Sequence, residues 1–430
     1  MLANLLIETA GGRIVAVTPD VAAPPVAATV LRGITLPGLA NTHSHAFHRA
    51  LRGRTQAGRG TFWSWRDQMY RIADRLTPES YFALARAVYA EMALAGITCV
   101  GEFHYLHHGP GGSPYADPNA MGAALVTAAA EAGVRITLLD TCYLTGGIDR
   151  ALEGPQLRFG DGDADGWAQR VSFLDLPEHA RMGAAIHSVR AVPPDQMGPV
   201  VDWAAHRAAP LHVHLSEQRA ENAACLAAYR RTPSALLAEA GALGPLATAV
   251  HATHLTGDDI ALLGASAAAV CMCPTTERDL ADGIGPARRL ADAGCPITLG
   301  SDSQAVIDLF EEARAFELDE RLRTEQRGHW PAGDLLRAAT SAGHAALGWP
   351  EAGWLAQGAL ADFVTVALDT PRLAGTRRAT AAESVVFAAT AADVRHLVVG
   401  GREVVRDGIH LLVGDVAAAY ETALEEVLPE

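Results

Sequence analysis

Short runs of apolar and β-branched residues alternate with longer Ala-rich stretches through most of the 430-residue chain. Eight runs read as strands, each bounded by turn residues and too short for a helix: 36–45, 97–103, 135–143, 182–189, 210–217, 247–254, 267–274 and 295–302. Helical stretches lie between them. The one over 77–96 opens with a Thr cap, Pro at the first position and Glu next, and it stops at Gly. Stretches 118–133 and 216–240 carry similar punctuation. Strand–helix alternation repeated eight times predicts an α/β protein with a (β/α)8 TIM-like barrel. A doubly wound open sheet is the alternative, but no G-x-G-x-x-G follows the first strand.

The two ends break this rhythm. Residues 1–35 hold short strands and Pro-rich turns, and the Gly11-Gly12 pair reads as a hairpin turn. From 355 onward, QGALADFVTVALD and HLVVGGREVVRDG again read as strands and turns. The expectation is a small β-sandwich domain built from 1–35 and 355–415, with the barrel (36–354) inserted between. A helix over 416–430 packs outside. The irregular stretch 104–117 follows the second barrel strand, and a long loop there is more often functional than accidental.

Composition narrows the function. With 49 acidic and 34 basic residues, the net charge of −15 argues against a nucleic-acid partner, which needs a basic face. Charged residues make up 19% of the chain, too few for a disordered protein. No uninterrupted 18-residue apolar run suggests a membrane span, and the N-terminus lacks the basic flank and apolar run of a signal peptide. The expectation is a soluble, cytoplasmic protein. The chain contains no Lys, so a Walker lysine, a Schiff-base or pyridoxal-phosphate lysine and a carbamylated-lysine metal bridge are all excluded. Any bound anion must be held by Arg, backbone amides or a metal. The six cysteines form no C-x-x-C pair and read as buried free thiols.

In a barrel, chemistry sits at the C-terminal ends of the strands. There the sequence places His43, His45, Tyr105, His187, Arg190, His214, Glu217, His251 and Asp302. His43 and His45 are two apart on a strand and so point to one side, where two imidazoles can bind a divalent metal. A lone H-x-H is equally well a hydrogen-bonded core pair. The further strand ends bearing His, Glu or Asp favour convergence on a metal. In HVHLSE, His214 is nearer the strand end, and the deeper His212 suits the core. Glu217 reaches over the mouth, where a carboxylate beside the metal can shuttle a proton. Asp302 reads as a fourth donor, or taken alone as a turn or cap residue. His251 lies near the strand body, and His254 reads as loop structure.

The motifs THSH (42–45), HLSE (214–217), HATH (251–254) and GSDS (300–303) resemble the single-metal deaminase branch of the amidohydrolase superfamily. The resemblance covers essentially the whole chain, including the split β domain. It implies one divalent metal held by His43, His45, His214 and Asp302. Glu217 is implied as proton shuttle, Asp302 as the group orienting the nucleophile, and His251 as the group polarising the reacting centre. Zn2+ suits three imidazoles and a carboxylate, although iron and manganese accept similar sets. The stretches FWSWRDQMYR (62–71), EFHYLHH (102–108) and IHSVRAV (186–192) are similar to the formimidoylglutamate deiminase family, which acts in histidine breakdown. That likeness implies Arg66, Tyr105, His187 and Arg190, with His48 in HSHAFHRA, as substrate-binding residues. It also implies a homodimer acting on a small dicarboxylate amidine. A chain of charge −15 does not attract a dianion by its overall field, so local Arg forks must hold the carboxylates. A purine or pyrimidine deaminase and an imidazolone-ring hydrolase stay open as alternatives. A non-catalytic homologue is the reading from another class, but such proteins typically lose ligands or the proton shuttle.

Overall fold

The computed structural model describes residues 2–56 and 59–428, so the outermost ends of the expected segments, residues 1 and 429–430, lie outside the described residues. The chain opens with a hairpin of β1 (Leu6–Ala10) and β2 (Arg13–Thr18). Gly11 and Gly12 join them at φ 56° and 74°, the left-handed conformation that a two-residue hairpin turn demands. After β3 (Ile34–Pro37) the chain passes into the barrel.

Eight strands form one sheet in sequence order: β4 (Leu39–Ser44), β5 (Ile97–His104), β6 (Arg135–Cys142), β7 (Ala180–Ile186), β8 (Leu211–Leu215), β9 (Ala247–His251), β10 (Ala269–Met272) and β11 (Ile297–Leu299). Every neighbouring pair is parallel. Each expected run overlaps one of these strands. All residues of β4, β5 and β8 are buried, as strands covered by helices outside and packed side chains inside must be. The helix Pro78–Leu94 has the expected Thr77 cap, completed by Ser80. The stretch 216–240 is two helices, Arg219–Tyr229 and Pro233–Glu239, rather than one. Arg230 turns left-handed at φ 55°, and Thr232-Pro233 restarts the chain as cap and first turn.

The barrel closes between β11 and β4 through side chains more than through a ladder. Among the described residues, a single backbone bridge at Ser44 and Asp302 joins the two, made by His45 N–H to Asp302 O (3.1 Å) and Asp302 N–H to His43 O (3.0 Å). Asn41 supplies the rest: its Nδ2 donates to Ser301 Oγ (2.6 Å), and its Oδ1 accepts from Ser301 N–H (2.9 Å). Ser301 Oγ donates to Gln304 Oε1, Gln304 Nε2 to Ser44 Oγ, and Ser44 Oγ to Glu102, each at 2.7 Å. Gly300 permits the approach, because a Cβ there would lie 2.8–3.0 Å from His43.

A five-stranded antiparallel sheet unites the two ends of the chain. β12 (Phe363–Val366) pairs with β3 on one side and with β13 (Val394–Val399) on the other. β14 (Arg402–Arg406) and β15 (Ile409–His410) follow. Ile14 ties the hairpin to this sheet's approach through Ala359 and Ala361. The helix Ala381–Ala388, although inside 355–415, packs on barrel helices Leu309–Thr324 and Ala332–Arg337. The helix Val416–Val427 lies along Pro78–Leu94, with Tyr420 donating to Glu91 (2.6 Å). Among the described residues, no helix is long and apolar enough to cross a membrane.

Candidate active site

At the C-terminal mouth of the barrel, four side chains from three places in the sequence converge. His43 and His45 rise from the end of β4, His214 from β8, and Asp302 from the turn after β11. The Nε2 atoms of His43 and His214 are 3.1 Å apart. Those of His43 and His45 are each 3.4 Å from Asp302 Oδ1. Two backbone carbonyls fix the tautomers. His45 Nδ1–H donates to Phe103 O and His214 Nδ1–H to His187 O, both at 2.9 Å, so each ring turns its Nε2 lone pair inward. Burial lowers the pKa of His43 and, more strongly, of His45 and His214, which keeps these imidazoles neutral. Burial pushes the Asp302 carboxyl up, but hydrogen bonding and charge from His43, with His251 and His45, outweigh it and hold it below the usual range. Three neutral imidazoles and an ionised carboxylate, turned toward one another in a buried space, are the donor chemistry of a divalent metal ion.

Glu217 and His251 stand beside this centre. His251 Nε2 lies 3.8 Å from Glu217 Oε1 and 3.7 Å from Asp302 Oδ2. Burial raises the Glu217 pKa, which His251 and Arg190 restrain, and the result is about 7, where a carboxyl can both accept and give a proton at neutral pH. Burial works against a charged His251, but Glu217, Glu277 and Asp302 overcome it and raise its pKa well above the ordinary 6.5. His251 and Asp302 both adopt left-handed backbone (φ 67° and 45°), a conformation that side-chain-bearing residues hold only where the surroundings enforce it.

Above the centre lies one cavity, walled by Phe62, Trp65, Met69, Tyr70, Tyr143, Phe159 and Leu280. The expected residues His48, Arg66, Tyr105, His187 and Arg190 line it together with His45, His214, Glu217, His251 and Asp302. His43 sits beneath, fully buried. His48 Nε2 pairs with Tyr105 Oη at 2.8 Å, and burial lowers its pKa to about 3, so it faces the cavity uncharged. Arg66 packs over Trp63 and Tyr70 and, among the described residues, makes no ion pair. Arg190 is anchored by Glu221 and lies 4.0 Å from Glu217.

His212, by contrast, points below the site and bonds Ala346 O (3.2 Å). The loop after β5 is strapped down: His107 and His108 N–H both donate to Arg158 O (3.0 and 2.9 Å). His104, His107 and Asp140 form a second group of possible donors, but Arg170 engages both oxygens of Asp140 (3.0 and 2.8 Å) and Trp167 adds a third bond. Sequence reasoning missed two acids. Glu221 holds Arg190, and Glu277 faces His251 Nδ1 at 3.4 Å. Glu277 follows the seventh barrel strand in CPTTE, and an acid at a strand end was the signal available.

The geometry is that of a metal-assisted hydrolase, and the likenesses of the chain agree. Residues 34–404 match the amidohydrolase family. The chain belongs to the amidohydrolase family. Among its relatives, this amidohydrolase is 37% identical to the formimidoylglutamate deiminase of Pseudomonas aeruginosa, an alignment covering 98% of this chain and 95% of that one. It is 31% identical to the 8-oxoguanine deaminase of the same species, over 88% of this chain and 83% of that one. In structure it superposes on an amidohydrolase of Brucella melitensis with a TM-score of 0.91 and 33% identity, covering 100% and 97% of the two chains. A mutant atrazine chlorohydrolase of Arthrobacter aurescens, complexed with zinc and atraton, matches at TM-score 0.87 over 99% and 95%. At 24% identity that likeness shows the shared fold.

Proposed function

We propose that this amidohydrolase is a formimidoylglutamate deiminase: it hydrolyses N-formimidoyl-L-glutamate to N-formyl-L-glutamate and ammonia, a step of histidine breakdown, with zinc as its resident ion. One observation carries the reading. A single cavity holds an imidazole–carboxylate centre at its floor and two guanidiniums, Arg66 and Arg190, on its wall. That charge pattern complements a molecule with an amidine at one end and carboxylates at the other. A nucleobase, neutral and flat, has no use for two Arg forks. The 37% identity with the P. aeruginosa enzyme supports the same choice.

The chemistry follows from the placement of the residues. A divalent metal bound by His43, His45, His214 and Asp302 would supply a hydroxide-like nucleophile near neutral pH by lowering the pKa of bound water to roughly 7. Glu217 accepts the proton of the attacking water at its carboxylate and returns it to the departing nitrogen. Asp302 uses Oδ2, turned away from His43 and His45, to orient the nucleophile. His251 presents Nε2 to the reacting carbon's substituents and stabilises charge as the carbon becomes tetrahedral. Arg66 and Arg190 hold the carboxylates and so fix the distance of the amidine from Glu217, while the aromatic wall excludes water.

Ammonia release from N-formimidoyl-L-glutamate by zinc-loaded protein tests this, with guanine, cytosine and N-formimidoyl-L-aspartate alongside. Fast release from the glutamate compound alone is expected. Release from a nucleobase instead would overturn the substrate reading while leaving the centre as described.

A further inference from the structure

The ring of His251 has two nitrogens and only one faces the reaction centre, so something must decide which. We propose that Glu277 is a positioning residue: it holds His251 through Nδ1 and thereby keeps Nε2 aimed at Glu217 and Asp302. The proposal rests on the deiminase reading for its substrate but on geometry for its substance.

Glu277 is a buried residue of the short helix Pro274–Asp279 that follows β10. Its Oε1 lies 3.4 Å from His251 Nδ1 and accepts the Cys273 N–H at 2.9 Å. Oε1 already accepts the Cys273 N–H and faces Nδ1 as an acceptor, so the ring carries a proton on Nδ1 whatever Nε2 holds. The same ring then presents Nε2 to Glu217 Oε1 and Asp302 Oδ2 at 3.8 and 3.7 Å. A half-turn about Cβ–Cγ would put carbon in place of Nδ1 against the carboxylate, and the buried acid would lose that partner.

The segment carrying Glu277 is itself tied to the centre. Thr276 Oγ1 accepts from Ser303 N–H (3.1 Å) and donates to Ser301 O (3.3 Å), bracketing the turn that bears Asp302. One short helix therefore registers His251 against Asp302, two groups 51 residues apart in the chain by their numbers.

A merely structural Glu277 would serve only to accept the Cys273 N–H, and Gln does that equally well. On metal-loaded enzyme, Glu277→Gln is therefore expected to lower kcat about 10–100-fold, the usual effect of removing such a supporting partner, with KM, thermal midpoint and metal content held near the parent's. In a His251→Asn background, Glu277→Gln should have almost no further effect, because the acid acts through that ring. A readout independent of turnover uses 15N-histidine labelling. The His251 signal, identified by its loss in His251→Asn, should show a protonated Nδ1 in the parent and should shift in Glu277→Gln. Parent-like kcat in Glu277→Gln, full additivity of the two substitutions, or an unmoved His251 signal would each overturn the proposal. If the parent acts on a different amidine or base, the substrate reading fails and the same ratios are measured on that compound.

Discussion

Glu217 is buried, lies 3.8 Å from His251 Nε2, and has its pKa pushed up to about 7 by that burial. Gln in its place keeps the shape and removes the proton carrier. Glu217→Gln is expected to lower kcat by roughly 10²–10⁴-fold with KM changed only slightly. Metal content should be unaffected, and a kcat near the parent's would remove Glu217 from the proton path. The two arginines should separate in a different way. Arg66 makes no ion pair among the described residues, so Arg66→Ala should raise KM by about 10–100-fold, the value of charge-assisted bonds to a carboxylate, and leave the thermal midpoint near the parent's. Arg190 neutralises buried Glu221, which in turn accepts Ser216 N–H (2.8 Å), so Arg190→Ala should raise KM and also lower the midpoint. Equal midpoints for the two variants would contradict this. The placement of His43, His45, His214, Asp302 and Glu217 at the barrel mouth was legible in the sequence because each sits at or just past the end of a recognisable strand. Glu277, although it too follows a strand, and Glu221, on a helix, were missed because nothing in the sequence points to their partners. Their partners lie 26 and 31 residues away, and only the closed barrel brings them together.

At the scale of elements, strands were the most legible feature, since buried parallel strands leave continuous apolar runs bounded by turns. The closing seam was invisible, because it depends on the side chain of Asn41 rather than on a pattern. Asn41→Ala would leave the buried Ser301 N–H without its acceptor, at about 1–3 kcal/mol, while Ser301 Oγ keeps only its bond to Gln304. Denaturant unfolding should show that loss, and metal affinity should fall with it, because His43 and Asp302 flank the seam. Unchanged affinity in a destabilised variant would separate seam from site. The network behind the β5 loop makes a pH prediction. Burial raises the Asp140 pKa, but Arg170 outweighs burial and depresses it from 3.8 to about 2. A depressed carboxylate stabilises the fold above its unfolded pKa and loses that contribution as pH falls through the folded value. Asp140 should thus contribute about 2 kcal/mol at neutral pH, lost between roughly pH 4 and pH 2. Asp140→Asn should be less stable at pH 7 and show a shallower decline over that acid window. An equally steep decline would mean that other carboxylates carry it.

For the molecule as a whole, the proposed ion is a cross-link. Its donors come from the first barrel strand, the fifth, and the turn after the eighth, so they lie on both sides of the seam and across the mouth. In the unfolded chain they are separated by up to 259 residues, from His43 to Asp302, and offer no preformed site. An ion that binds only the folded state stabilises it by about 4 kcal/mol when present at a thousandfold excess over its dissociation constant. The Nε2 atoms of His43 and His214, 3.1 Å apart, bring two lone pairs together that the ion would bridge. Chelation should therefore lower the thermal midpoint by several degrees as well as abolish turnover, and added zinc should restore both together. With 49 acidic residues the surface can also collect cations, so the effect has to be assigned to the centre. A His45→Ala, His214→Ala double variant serves that purpose. It removes two of the donors, and its midpoint should already be low and should not respond to chelator or zinc. A midpoint that falls on chelation in the double variant as in the parent would place the stabilising ion elsewhere. A parent whose midpoint ignores chelation while its turnover is lost would show that the four donors are held in place by protein alone.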